Sequence, residues 1–161
     1  MGLGNDVKAL VATRAWGARV FRAAAVPGAP GTHPIFRVGG GHIRLTSFVG
    51  EIVTVMDGVN AATLQIQNVP TIGAVAQNMS IAGGAITSFI VGTIFSLTGA
   101  VGAAMNENDP NHECLADSMA TMLIVPPGTI NLTVAAATQT GTIQWTLHYV
   151  AVDPGATVWA I

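Results

Sequence analysis

The residues best equipped for chemistry lie between positions 107 and 117, where Glu107, Asp109, His112, Glu113, Cys114 and Asp117 fall within GAAMNENDPNHECLAD. Carboxylates at this density suit an oxygen-ligated cation, but the spacing and central glycine of a calcium loop are absent. His112 and Cys114 are soft ligands that one zinc ion would accept, yet no second pair accompanies them. They also lack the recognisable spacing of a nucleophile and its base, and no serine sits in a G-x-S-x-G turn. The segment reads as a solvated acidic loop.

The other candidates are weaker. Gly39-Gly40-Gly41 has neither the Lys-Ser/Thr ending of a phosphate loop nor the spaced glycines of a dinucleotide fingerprint, and reads as a turn. His33 and His42 fall at loop or strand-start positions, and His148 on the polar face of a strand opposite Trp145. Asn78-Met79-Ser80 and Asn131-Leu132-Thr133 match the glycosylation pattern, which matters only on a secretory route. No catalytic, cofactor-binding or metal-binding residue is assigned, and no enzymatic activity is expected. An enzyme would need polar groups from separate strands to converge, for example around His112 and His148.

Composition points to assembly. The chain has 161 residues, of which 50% are hydrophobic and only 9% charged, against about 25% charged in an average soluble domain. The charge is segregated: Lys8, Arg14, Arg19, Arg22, Arg37 and Arg44 all precede residue 45, with Asp6 the only acid among them. A basic segment and an acidic remainder orient an assembly through opposite fields. Six dispersed cations are a thin footprint for a phosphate backbone, so no specific nucleic-acid partner is expected. The single cysteine excludes an intrachain disulfide. The Lys8 to Arg22 region lacks the order of a secretory leader. The apolar run at 81–105 is long enough to span a bilayer, but its repeated Gly, Thr and Ser favour strand and turn, and no membrane role is expected.

The elements that must position these residues follow from hydrophobic period and turn chemistry. Residues 1–34 are expected to form a basic N-terminal arm, because VPGAPGTHP, with three prolines and two glycines, favours an extended connector. Residues 35–161 are expected to form one all-β domain, a β-sandwich or jelly-roll-like fold. PIFRV, HIRLTSFV, GEIVTV and ATLQIQNV are strand-like and separated by glycine or proline. AITSFIVGTIFSLTG supplies one or two strands, and the segment from Met119 to Val152 three more. In the last of these, Ile143, Trp145, Leu147 and Tyr149 alternate with Gln144, Thr146 and His148, the period of a half-exposed strand. Asp153-Pro154-Gly155 then turns the chain, and ATVWAI is expected to return as a short strand or lie on a neighbour, shielding Trp159 and Ile161 from water.

FRVGGGHIRLTSFVGEIVTVMDGVNAATLQIQNVPTIGA, GTIFSLTG and IVPPGTINLTVAAATQTGTIQWTLHYVAVDPGATV together resemble a recurring class of small β-rich virion proteins of tailed bacteriophages. In that class a turn-strand-turn series ends in a Gly-x-Ile-x-Trp-Thr-Leu-x-Tyr strand and a final Gly-Ala-x-Val segment, here Gly141 to Tyr149 and Gly155 to Val158. The resemblance covers roughly residues 35–160 and omits the arm. It implies a non-enzymatic capsid decoration or cement protein on the phage head, assembled in the host cytoplasm. The implied partners are the major capsid protein and further copies of the chain, a trimer being one form. A tail, fibre or baseplate component, or a carbohydrate-binding module, is the alternative. Arg14, Trp16, Arg19 and Arg22 in the arm, with Trp159 and Ile161 at the other end of the sequence, are the expected interface residues.

Overall fold

Alternating apolar residues at 143, 145, 147 and 149 can be buried only if a second layer faces them. A computed structural model, which describes residues 17–56, 61–108 and 122–161, supplies that layer as a second antiparallel sheet. The described strands are β1 (Ala18–Ala25), β2 (Gly31–Gly39), β3 (Ile43–Thr54), β4 (Thr63–Pro70), β5 (Gln77–Asn78), β6 (Ile94–Ser96), β7 (Asn106–Glu107), β8 (Leu123–Val125), β9 (Gly128–Ala135), β10 (Thr142–Ala151) and β11 (Thr157–Ala160). One sheet has the order β1-β10-β3-β6-β7, with β8 also paired to β3; the other has the order β11-β2-β9-β4-β5. Every pairing between these strands is antiparallel.

The core lies between the sheets. Ile143, Trp145, Leu147 and Tyr149 are all buried, as their alternation requires. Trp145 and Phe48 of one sheet stand with centroids 5.3 Å apart, and Phe48 meets Phe36 of the other edge-on at 5.9 Å. Aromatic rings in these arrangements add to the burial of their area, so the layers are joined by side chains that β2, β3 and β10 each send inward. Tyr149 is also buried, and its hydroxyl accepts a hydrogen bond from the Val158 N–H at 3.3 Å.

HIRLTSFV and GEIVTV, expected as separate strands, form the single twelve-residue β3. Gly50 sits inside it, between Trp145 on β10 and Phe95 on β6. The indole of Trp145 lies where a Cβ at position 50 would stand. This glycine is therefore a packing requirement and does not end the strand. AITSFIVGTIFSLTG contributes only β6, while the three strands expected after Met119 are β8, β9 and β10.

The 1–34 boundary also needs correction where the segment is described. Residues 18–25 form β1, which runs antiparallel along β10 with a register irregularity between Arg22 and Ala25. Residues 31–34 begin β2, and Pro34 is tolerated there because the β2/β9 register shifts between Pro34 and Phe36. The described part of the expected arm is thus built into both sheets, its backbone groups completing ladders that side-chain pattern alone does not reveal. Among the described residues no helix is long and apolar enough to cross a membrane.

Candidate functional site

Three connections and strand β11 meet at one end of the sandwich. The turn from β2 to β3 brings Gly39, Gly40 and His42; the loop after β4 brings Thr71 and Ile72; Pro126 and Pro127 lie between β8 and β9; and β11 brings Trp159. The Thr71 N–H donates to the Pro127 carbonyl at 2.8 Å, which ties two of these connections together. They enclose a cleft of about 510 Å³.

Trp159 is opposite Arg37 in the β11/β2 ladder, and Arg37 Cζ lies 6.0 Å from the centre of its ring. The six-membered part of the indole rests over Gly39: a Cβ there would stand 2.8 Å from Cη2 and 3.0 Å from Cζ3. Gly39 thus lets a large ring lie down on the sheet, and the indole remains 46% exposed. From the turn between β10 and β11, Asp153 Oδ2 accepts from the His42 backbone N–H at 2.8 Å and contacts His42 Nδ1 at 2.6 Å. These bonds, the backbone one first, hold the Asp153 carboxyl below its ordinary pKa, since both favour the ionised form. An ionised carboxylate only accepts, so Nδ1 carries the proton and Nε2 is the nitrogen left for other contacts.

A second cleft, of about 570 Å³, shares Pro126 with the first. Met79, Ile81, Val101, Leu123 and Ile124 form much of its wall, and none of its described lining residues is charged. Asn68 also lines it; this side chain is 3% exposed, and neither of its carboxamide heteroatoms has a hydrogen-bond partner. On the rim of the first cleft Ile72 is 91% exposed, and Val75 on the same loop is also exposed.

The expected interface residues divide by location. Arg14 and Trp16 lie outside the described residues, as do Asp109, His112, Glu113, Cys114 and Asp117 of the acidic segment. Glu107 is in β7. Arg19 is exposed on β1, its Cζ 5.8 Å from the centre of the Phe21 ring. Arg22 and Ile161 are brought together: Arg22 Nε donates to the Ile161 main-chain oxygen at 2.9 Å, linking edge strand β1 to the end of β11. Partial burial lowers the Arg22 pKa below its usual value. β11 is the returning strand expected of ATVWAI, with Val158 turned inward and Trp159 outward; Ile161 beyond it is 52% exposed. Arg37, His42, Asp153 and Ile72 were not singled out as a site from the sequence, because turn residues far apart in the chain carry no shared local pattern. His42 and Asp153 are 111 positions apart.

Among the described residues no group of three or more His, Cys, Asp or Glu side chains is placed to hold a metal ion. Comparisons with models of protein families, with curated proteins and with solved structures gave no match.

Proposed function

We propose that the chain is a structural subunit of a tailed-phage virion, a decoration or cement protein that stabilises the head by binding the major capsid protein and neighbouring copies of itself. The observation that carries this reading is the apolar end of the sandwich. Ile81, Val101 and Ile124 are exposed on a cleft without a charged described lining residue, and Ile72, on the wall of the adjoining Trp159 cleft, and Val75 on the same loop are exposed as well. Apolar surface gathered in this way is stabilised by a protein partner that removes it from water.

The strand order supports a jelly roll as the particular form of sandwich. β1 pairs with β10, β2 with β9, β3 with β8 and β4 with β5, a nested series obtained by rolling up one long antiparallel hairpin. Viral capsid domains are among the users of that architecture, as are lectins and cupins, so the fold raises the prior for a virion role and does not decide it. The resemblance over residues 35–160 supports the same choice. Symmetric self-association, a trimer among its forms, would place many weak contacts at high effective concentration on a shell. Arg14, Trp16 and Arg19 are the arm candidates for contact outside the sandwich.

The test is co-sedimentation of the purified chain with shells of a major capsid protein from the genome that encodes it. Wild-type protein is expected in the shell pellet, and replacement of Ile72 and Ile124 by Asp is expected to leave it in the supernatant with its circular dichroism unchanged. Wild-type protein that stays in the supernatant overturns the proposal.

A further inference from the structure

The cleft around Trp159 sets Arg37, His42 and Thr71 into a wall that is otherwise largely apolar. We infer that it is a saccharide-binding site in which the outer face of Trp159 stacks on the apolar face of a sugar ring, with Arg37 and His42 meeting the hydroxyl groups.

Three observations lead there. The indole lies down on Gly39, which has no side chain to lift it, and the ring remains about half exposed. The Arg37 guanidinium stands 6.0 Å from the ring centre, and the part of the indole that stays exposed is an aromatic surface on which a ligand ring can stack, unlike Trp145, which is buried in the core. The cleft beside it, about 510 Å³, falls within the roughly 300–1,000 Å³ range of small-ligand sites. The polar groups on its wall have the variety that hydroxyls need: guanidinium donors on Arg37, a hydroxyl on Thr71, and His42. His42 is held through Nδ1 by Asp153, so its ring has a fixed setting and Nε2 is the nitrogen available to a ligand.

The same inventory argues against other stacking ligands. A proline-rich peptide docks in a groove with an aromatic lining, and Trp159 is the only aromatic among the described lining residues. A nucleic-acid strand requires a cationic track as well as a stacking ring, and Arg37 is the only lysine or arginine among them. A neutral sugar needs one plane and a few directional polar groups, which is what this wall offers. Ile72 lines this cleft and also belongs to the apolar surface that carries the virion reading, but the inference concerns a different class of ligand and different binding residues, Trp159, Arg37 and His42, and so does not rest on that reading.

The test is titration of the full-length, ¹⁵N-labelled protein with maltotriose, cellotriose and triacetylchitotriose, followed by NMR. At least one sugar is expected to shift the Trp159 indole N–H and the backbone amides of Gly39, Gly40 and His42 in a saturable way. Trp159→Ala is expected to weaken that binding by about tenfold or more, about 1.4 kcal/mol, with the thermal unfolding midpoint preserved. Gly39→Ala, which displaces the ring without removing it, is expected to weaken it as well. If none of the three sugars moves these resonances at about 20 mM, about twenty times a dissociation constant of about 1 mM, the inference is overturned. Saturable shifts from a proline-rich peptide in place of the sugars would also overturn it.

Discussion

Gly50 and Asp153 show how single residues act at the two extremes of burial. Gly50 is the residue that lets Trp145 lie across β3 toward Phe95, whose ring centre is 6.5 Å from the indole. Gly50→Ala is expected to destabilise the fold by about 1–3 kcal/mol through overpacking, and Trp145→Ala by about 3–5 kcal/mol through the cavity it leaves. Urea denaturation monitored by circular dichroism checks both. Asp153 is on the surface, and its effect is read through pH. Its carboxyl is held below the ordinary value of 3.8 in the folded chain, so the folded state favours the ionised form. The resulting stabilisation is present above that ordinary value and is lost as pH falls through the lower folded value. Wild-type protein is therefore expected to lose more stability than Asp153→Asn between about pH 5 and about pH 2, as thermal unfolding across that range would show. The opposite ordering would mean that the His42 contacts do not favour the carboxylate.

At the scale of elements, a strand is legible in sequence when side-chain burial specifies it and obscure when backbone pairing does. β10 is paired on both sides and buries alternate residues, so its period of two is plain. β1 is an edge strand, largely exposed, and ARVFRAAA has no regular alternation to announce it. Its ladder with β10 is what places it, and that information lies more than a hundred residues away. The sandwich was legible for the same reason β10 was: many short apolar segments separated by glycine and proline require two facing layers. The cleft was not, because its walls come from turns and strand ends far apart in sequence, each of which by itself carries only the residue types of a chain reversal or a short strand. Removing residues 18–34 would take away β1 and the first residues of β2. That deletion is expected to abolish cooperative unfolding, measured by differential scanning calorimetry, because it leaves the β10 ladder open and part of the β2/β9 ladder unmade. A cooperative transition retained at the wild-type temperature would show that the strand contributes little.

At the scale of the whole molecule, the two ends of the charge scale matter together. A chain only 9% charged carries exposed Ile72, Val75, Val101 and Ile124, the surface that a partner covers in the proposed reading. Two edge strands of opposite sheets, β1 and β11, lie against each other and are joined by the Arg22 to Ile161 bond, so the sandwich is tied at that edge within one chain. In the reading proposed above, the apolar end would be the surface for assembly and the Trp159 cleft the surface for a small ligand. The most direct measurement is cryo-electron microscopy of intact particles produced from the genome that encodes the chain. The expected result is density for this sandwich in regular copies on the head shell, with the Ile72 and Ile124 end turned toward the major capsid protein; particles whose heads and tails both lack that density would contradict the assignment as a virion protein.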